Sequence, residues 1–485
     1  MPVGFPAMNF MTYEEFIKER TTIKSQTDSI HVEKKELNPN LFEFQKDIVR
    51  WALAKGRAAI FASCGTGKTI CQLEWAHHVQ KHTEKPVIIL APLAVSTQTV
   101  HEGEKFGIDV TLCNTADDVN YNGINVTNYE KLDKFPDIDW GGVVLDESSI
   151  LKSFTGKVRG QIIDNFCMTP FRLACTATPA PNDYMELGNH SEFLGIMSYN
   201  EMLSMFFVHD GGETSKWRLK GHAEKVFWEW LSSFCVFVDN PKDIGYDQSG
   251  YDLPPMHTID CCIDKGITEE PAPGSMTLTD RRNAKRESIE SKVSYIMDFL
   301  KDKGILTKRD GVIRDKYIIW CDLNKEQDTI AHALGENCVS IQGSTPNDKK
   351  ISLLHDWMET DIPVMVTKAQ MFGYGLNLQI CHNMIFFGLN DSYEQYYQAV
   401  RRCWRFGQPE EVNVYIVTTV KEGAIQENIQ RKQADHEKMR AAMVAHTKEI
   451  TAKELRGTYR IMTEYHPDKP MRLPKWAEFG FKTEV

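Results

Sequence analysis

A chain of 485 residues, 42% apolar and 25% charged, is long enough for several packed cores and has ordinary globular composition. Its formal charge of −11 excludes a surface that is basic throughout, while leaving room for a local basic groove. Twelve cysteines without a C-x-x-C pair point to reduced, buried thiols rather than a zinc or disulfide framework, and the chain has neither a signal pattern nor an apolar run of about 18 residues, so a cytoplasmic protein with no membrane partner is expected.

Residues 1–36 are expected to form an N-terminal helical extension. The stretch "LFEFQKDIVRWAL" follows, with Gln45 inside it, and then the short β-type run "AAIF" at 58–61. "ASCGTGKT" at 62–69 ends like a phosphate-binding loop, although Ala62 stands where the general pattern G-x-x-x-x-G-K-[ST] has glycine. Glycines matter here because backbone N–H groups approach phosphates only where no Cβ interferes. Gly65, Thr66, Gly67, Lys68 and Thr69 are therefore the expected nucleotide residues, with Lys68 on the β/γ-phosphates and Thr69 on Mg²⁺. Ile70, Leu73, Ala76 and Val79 then recur at steps of three, a helix face.

Further apolar runs lie at 87–90, 124–127, 142–146 and 171–176, separated by helical patterns, which predicts a parallel sheet in an α/β domain. The run "GVVLD" ends in Asp146-Glu147. One carboxylate at such a strand end can hold Mg²⁺, and the next can orient or deprotonate an attacking water.

Residues 191–275 differ in texture: an aromatic stretch, "KVFWEWLSSFCVF", more suited to core than to base stacking, precedes a loop-like "GYDQSGYDLPP". A second α/β block then has β-type runs at 317–321, 338–342, 363–367, 384–387 and 412–417. Between Met276 and Lys316, 11 Lys and Arg stand against 7 Asp and Glu, a local excess that suits either a solvated helix face or a patch contacting a nucleic-acid backbone. "QAVRRCWRFGQ" places Arg402 and Arg405 one helical turn apart, so guanidinium groups on one face can meet a γ-phosphate; Arg401 fits that face less well.

In the form A-x-x-G-x-G-K-T, the loop resembles that of superfamily 2 helicases and translocases. The order of segments is similar to the Swi/Snf-related branch. Gln45 falls where that family reads adenine. "APLAVSTQTVHEGEKF", with Pro92, is similar to its first nucleic-acid contact segment, although Thr99 stands where tryptophan is common. "DESSILKS" resembles D-E-A-H-x-x-K-N with Lys152 kept, and "CTATPAPND", with Thr176, Thr178 and Asn182, resembles the segment coupling the two lobes. "KAQMFGYGLNLQ", holding Lys368, Gly373, Gly375, Asn377 and Leu378, and the spacing Gln398, Arg402, Arg405, Gln408 are similar to the closing motifs. The stretch "GLNDSYEQYY" departs from the usual W-N-P turn.

The resemblance covers roughly 41–429 and is closest to compact members found in bacteriophages and prophages, which would place the chain in a bacterial host cytoplasm. It implies two RecA-like parallel-sheet lobes in tandem with an ATP cleft between them: lobe 1 at 37–190, a small helical and aromatic insertion at 191–275, lobe 2 at 276–445 and a C-terminal helical tail at 446–485. It further implies ATP and Mg²⁺ as cofactors; Lys68, Glu147, Gln398, Arg402 and Arg405 as catalytic; Gln45 and Gly375 beside the loop on ATP; Thr69 and Asp146 on Mg²⁺; and Pro92, Lys152, Lys368 and Asn377 on nucleic acid. The expected activity is ATP hydrolysis driving translocation on duplex DNA, with single strands also possible partners. Two other readings stand beside it, an RNA or single-strand helicase and a non-motor ATPase switch regulating a partner nuclease or methyltransferase.

Overall fold

Strands that are apolar on both faces pair in parallel when helices cover both sides of a sheet, and this chain does so twice. The computed structural model describes residues 29–152, 156–181, 183–209, 217–266, 278–307, 315–369 and 377–455. The first sheet has the order β3-β4-β2-β5-β6-β1-β9, from β1 (Arg57–Ala62), β2 (Val87–Ala91), β3 (Val110–Leu112), β4 (Ile124–Asn128), β5 (Gly142–Asp146), β6 (Phe171–Thr176) and β9 (Cys235–Val238), all parallel. The second has the order β10-β15-β14-β11-β13-β12, from β10 (Met256–Cys262), β11 (Tyr317–Cys321), β12 (Cys338–Ser340), β13 (Val364–Lys368), β14 (Asn383–Phe386) and β15 (Val412–Thr418), also parallel. Each sheet separates two apolar layers, which is the doubly covered α/β architecture expected.

The stretch 191–275, expected as an insertion, is corrected in part. It supplies β9 to one edge of the first sheet and β10 to one edge of the second, so the crossing between lobes is confined to the segment from Asp239 to Pro255. The same stretch holds the antiparallel strand pair β7 (Phe207–His209) and β8 (Trp217–Leu219), between the helices Tyr199–Phe206 and Glu224–Ser232, with Phe207, Trp217 and Leu219 packed on the core of the first lobe. The aromatic run packs as core: Phe227, Trp228, Leu231 and Phe234 are buried beneath the first sheet.

The helix Gly423–Leu455 runs without interruption across the expected start of the tail at 446. Ile425 and Ile429 root it in the second lobe, whereas Met443 and Leu455 pack into the two cores of the first. At 1.5 Å per residue its 33 residues extend about 50 Å, enough to brace both lobes. Most of the expected N-terminal extension and of the tail lies outside the described residues; of the extension, a short 3₁₀ turn, Lys34–Glu36, is described.

Candidate nucleotide cleft between the lobes

The phosphate loop leaves β1 and enters the helix Lys68–Thr83 through two residues that need left-handed backbone, Gly65 (φ 91°) and Gly67 (φ 82°). A side chain at Gly67 would collide with the Gln45 amide, and a Cβ at Gly65 would lie 3.0 Å from the backbone nitrogen of Phe406 in the second lobe. The glycines thus permit close approach from both sides of the loop. Gln45 is buried beneath it; its amide nitrogen donates to the Thr66 carbonyl at 2.8 Å, and its oxygen accepts from the Phe42 N–H at 2.8 Å. Thr66 Oγ1 donates to the Ser63 carbonyl at 2.7 Å, and Lys68 Nζ donates to the Ala62 carbonyl at 2.9 Å.

At the end of β5 the two carboxylates meet different partners. Asp146 accepts from Gln72 Nε2 at 2.8 Å, and the other amide atom of Gln72, Oε1, is buried without a partner. Glu147 takes the left-handed conformation (φ 55°), sparsely populated for a side chain of its size, which turns it off the strand. It accepts from Thr176 Oγ1 at 3.1 Å, and that hydroxyl in turn accepts from the Thr178 N–H at 3.1 Å. Burial raises both carboxyls above their ordinary values; Lys68 and Arg402 oppose the rise at both, Gln72 opposes it at Asp146, and Asp146 adds to it at Glu147. The cleft therefore holds a carboxyl pair whose charge is costly until cations gather around it.

The second lobe supplies those cations. The helix Tyr393–Cys403 buries Gln398, Arg401 and Arg402. It ends at Cys403, so Arg405 does not share a helix face with Arg402 as the spacing suggested. Trp404 leaves helical geometry with its indole N–H donating to the Pro254 carbonyl at 2.8 Å, and Gly407 (φ 87°) reverses the chain. Gln408 Nε2 secures this turn on three carbonyls, those of Gln379, Cys381 and Cys403, at 3.0, 3.1 and 3.2 Å. Arg405 thereby packs against Gly65, and burial followed by repulsion from Arg402 pushes its guanidinium down to about 10. Its Nε is buried without a hydrogen-bond partner. Arg401, which the spacing left off the face, also reaches the loop, donating to the Cys64 carbonyl at 3.4 Å while lying over the Trp404 ring at 5.0 Å.

One contact across the lobes had no counterpart in the sequence reading. Glu394 in the arginine helix accepts from Ser149 Oγ at 2.8 Å and from Lys152 Nζ at 2.5 Å. Positions 394, 398 and 402 advance by fours on the helix Tyr393–Cys403, so helical spacing carried a signal for it. Lys152, expected on nucleic acid, pairs with this carboxylate while its side chain stays 42% exposed. Pro92 and Lys368 sit at the carboxyl ends of β2 and β13, and Asn377 is exposed. Gly373, Gly375 and Asn182 lie outside the described residues.

The donor set suits a magnesium nucleotide. Glycine backbone and Lys68 frame a phosphate cradle, while the Thr69 hydroxyl and Asp146 carboxylate are the hard oxygen donors that Mg²⁺ takes alongside phosphates and water. Among the described residues no group of three or more His, Cys, Asp or Glu converges into an all-protein metal cage.

Residues 292–407 match the helicase conserved C-terminal domain. The chain is 25% identical over 169 residues to the chromatin-remodeling ATPase INO80 of Debaryomyces hansenii, 33% of this chain and 12% of that protein. It is 23% identical over 425 residues to the DNA annealing helicase and endonuclease ZRANB3 of Mus musculus, 78% of this chain and 38% of that one. It thus spans well under half the length of these relatives. Among solved structures, Dbp5 of S. cerevisiae bound to RNA and ADP BeF3 aligns over 84% of this chain and 93% of its own at 14% identity, with a TM-score of 0.50. The fold is that of a two-lobed, RecA-like helicase core.

Proposed function

We propose that this chain, whose matched second lobe and sequence relatives support assignment to the Snf-related helicases of superfamily 2, is an ATP-driven motor that translocates on duplex DNA. The observation that carries the proposal is the meeting of opposite lobes along one cleft: Gly65 lies against Phe406, Cys64 against Arg401, and, past the end of β5, Ser149 and Lys152 against Glu394. A nucleotide held there joins the lobes, and its loss frees them, which is how a motor converts turnover into displacement.

In this mechanism Gly65, Thr66, Gly67 and Lys68 hold the polyphosphate, Gln45 beside the loop reads the adenine, and Thr69 with Asp146 would hold Mg²⁺, which neutralises phosphate charge when bound. Glu147 orients and deprotonates the attacking water. Arg402 and Arg405, with Arg401 beside them, stabilise charge developing on the transferred phosphoryl group. Thr176, bonded to Glu147 and to the Thr178 backbone, links the state of the carboxylate to the segment whose Ala177 packs on the second lobe's core. Gln398 backs this surface from within the helix. Pro92, Lys152, Lys368 and Asn377 are assigned to the polymer groove. Among the described residues no helix is long and apolar enough to cross a membrane, and action in the cytoplasm, of a bacterial host if the chain is of the compact phage type, completes the proposal.

Contacts should go mainly to phosphates, because a translocase passes over every sequence. The direct test is displacement of a triplex-forming third strand from duplex DNA with ATP and Mg²⁺. The proposal expects displacement that stops in Glu147→Gln. Unwinding of an RNA or single-strand-tailed substrate without triplex displacement would favour the helicase alternative, and ATP turnover indifferent to any polymer would favour the switch.

A further inference from the structure

Ser63 lies inside the phosphate loop, and every polar group it carries is engaged. Its hydroxyl donates to the Asp239 carboxylate, and its N–H donates to the Val238 carbonyl at 2.9 Å. Its carbonyl accepts from Thr66 Oγ1 at 2.7 Å and from Lys68 Nζ at 3.4 Å. The orientation of this one peptide therefore positions both the loop threonine and the loop lysine. Asp239 is the first residue after β9, where the chain leaves the first sheet for the second lobe.

The same Asp239 oxygen that accepts from Ser63 lies 3.3 Å from Arg440 Nη1 on the helix Gly423–Leu455. That helix is held to the second lobe by Asn428 Nδ2 and Lys432 Nζ, which donate to Asp391 at 3.0 and 2.6 Å. It is held to the first by Glu454, which accepts from Trp51 Nε1 at 2.9 Å and pairs with Lys55 at 2.9 Å. A single carboxylate thus touches the phosphate loop, the start of the crossing between lobes and the helix that braces both. Ala177, from the segment between Thr176 and Thr178, lines the same small cleft as Ser63, Asp239 and Arg440.

We propose that Arg440 is a positioning residue for nucleotide binding, acting through Asp239 on Ser63, so that the C-terminal helix couples the placement of the second lobe to the affinity of the loop for ATP. The chemistry gives the sign. With Arg440 in place, the Asp239 charge is compensated and its carboxylate fixes the Ser63 hydroxyl. Without Arg440, an uncompensated carboxylate stands beside a site that must accept a polyanion. Arg440 and Asp239 are 32% and 34% exposed, so solvent screens the pair and the effect is modest and salt-sensitive.

The inference rests on the reading of the loop as an ATP site, and the experiment separates the two. The 485-residue chain is titrated with a fluorescent ATP analogue and Mg²⁺ at low ionic strength, as the parent, R440A, S63A, D239N, R440A/S63A and R440A/D239N, alongside melting curves. Absence of binding by the parent would overturn the nucleotide reading itself. Given parent binding, R440A is expected to weaken affinity about fivefold, the scale of a partly exposed ion pair, and R440A/D239N, which removes the stranded charge, to recover most of it. S63A is expected to weaken affinity in the same direction without adding fully to R440A. Saturated ATP turnover should change less than KM, a split that simple destabilisation does not give. Affinities of R440A and S63A equal to the parent's, or no recovery with D239N, would overturn the relay. If R440A fails to fold, S63A and D239N carry the test, D239N being expected to bind at least as well as S63A.

Discussion

Glu394 of the second lobe holds Ser149 and Lys152 of the first, at 2.8 and 2.5 Å, two and five residues past the carboxylate proposed as the general base. Ser149 stands where the related motif has histidine, so a departure from the familiar pattern forms one of the contacts between lobes. The carboxylate is 14% exposed and Lys152 42% exposed, which places the bond at the rim of the cleft, where it can break and reform as the lobes move.

Removing this bond should favour the open arrangement. Glu394→Ala is expected to lower polymer-stimulated kcat about tenfold, the scale of losing a charge-assisted hydrogen bond, with little change in melting temperature. The double variant with Lys152→Ala should be no worse than Glu394→Ala alone, since the two residues act as one unit. Steady-state ATPase assays on the four proteins decide it, and additive losses would separate the two roles.

Glu147→Gln is expected to bind ATP and lose turnover by about 10²-fold or more, the usual contribution of a positioned base. Because burial raises its carboxyl above the ordinary 4.5, Glu147 takes up its proton at a higher pH than a solvated glutamate. Turnover in the parent should therefore fall on acidification with a midpoint above 4.5, read as a property of the coupled Asp146 and Glu147 pair. A pH–rate profile flat down to ordinary carboxylate values would remove Glu147 from this role.

The five β-type runs read in each half of the chain all became strands, because continuous apolar runs between helices are what a doubly covered parallel sheet requires. Of the strands not read, one lacked that signal and another was masked by its surroundings. β10 lies at a sheet edge with His257, Thr258, Ile259 and Asp260 exposed, and β9 is four residues long inside an aromatic run that also contains a helix. The loop, the carboxylate pair and the arginines were legible as motifs. The placement of Arg405 was not, since the helix end at Cys403 is fixed by a bond from Trp404 to Pro254, some 150 residues away in sequence. The reach of Arg401 to the Cys64 carbonyl, 337 residues away in sequence, is likewise a contact between lobes that helical spacing does not carry.

Arg402→Ala and Arg405→Ala are each expected to cost about 10³-fold in turnover, by the general behaviour of arginine fingers, with binding of a nucleotide to the first lobe largely kept. Single-turnover hydrolysis after preloading with ATP measures this. Near-parent rates in either variant would mean that the guanidinium concerned does not meet the transferred phosphoryl group.

Gln45 has two tasks, since its amide is bonded to Thr66 and to Phe42. Gln45→Ala should raise KM for ATP by loosening the loop and should also narrow the preference for ATP over GTP. A raised KM with the preference unchanged would leave Gln45 as a loop support without a part in base recognition.

The central claim is that duplex DNA drives closure of the two lobes around ATP. ATP turnover measured with no polymer, duplex DNA, single-stranded DNA and RNA, at one fixed salt concentration, tests it most directly. The account predicts the largest stimulation with duplex DNA, little dependence on its sequence, and a steep decline as salt is raised. Stimulation by RNA alone, or turnover unchanged by every polymer, would contradict it.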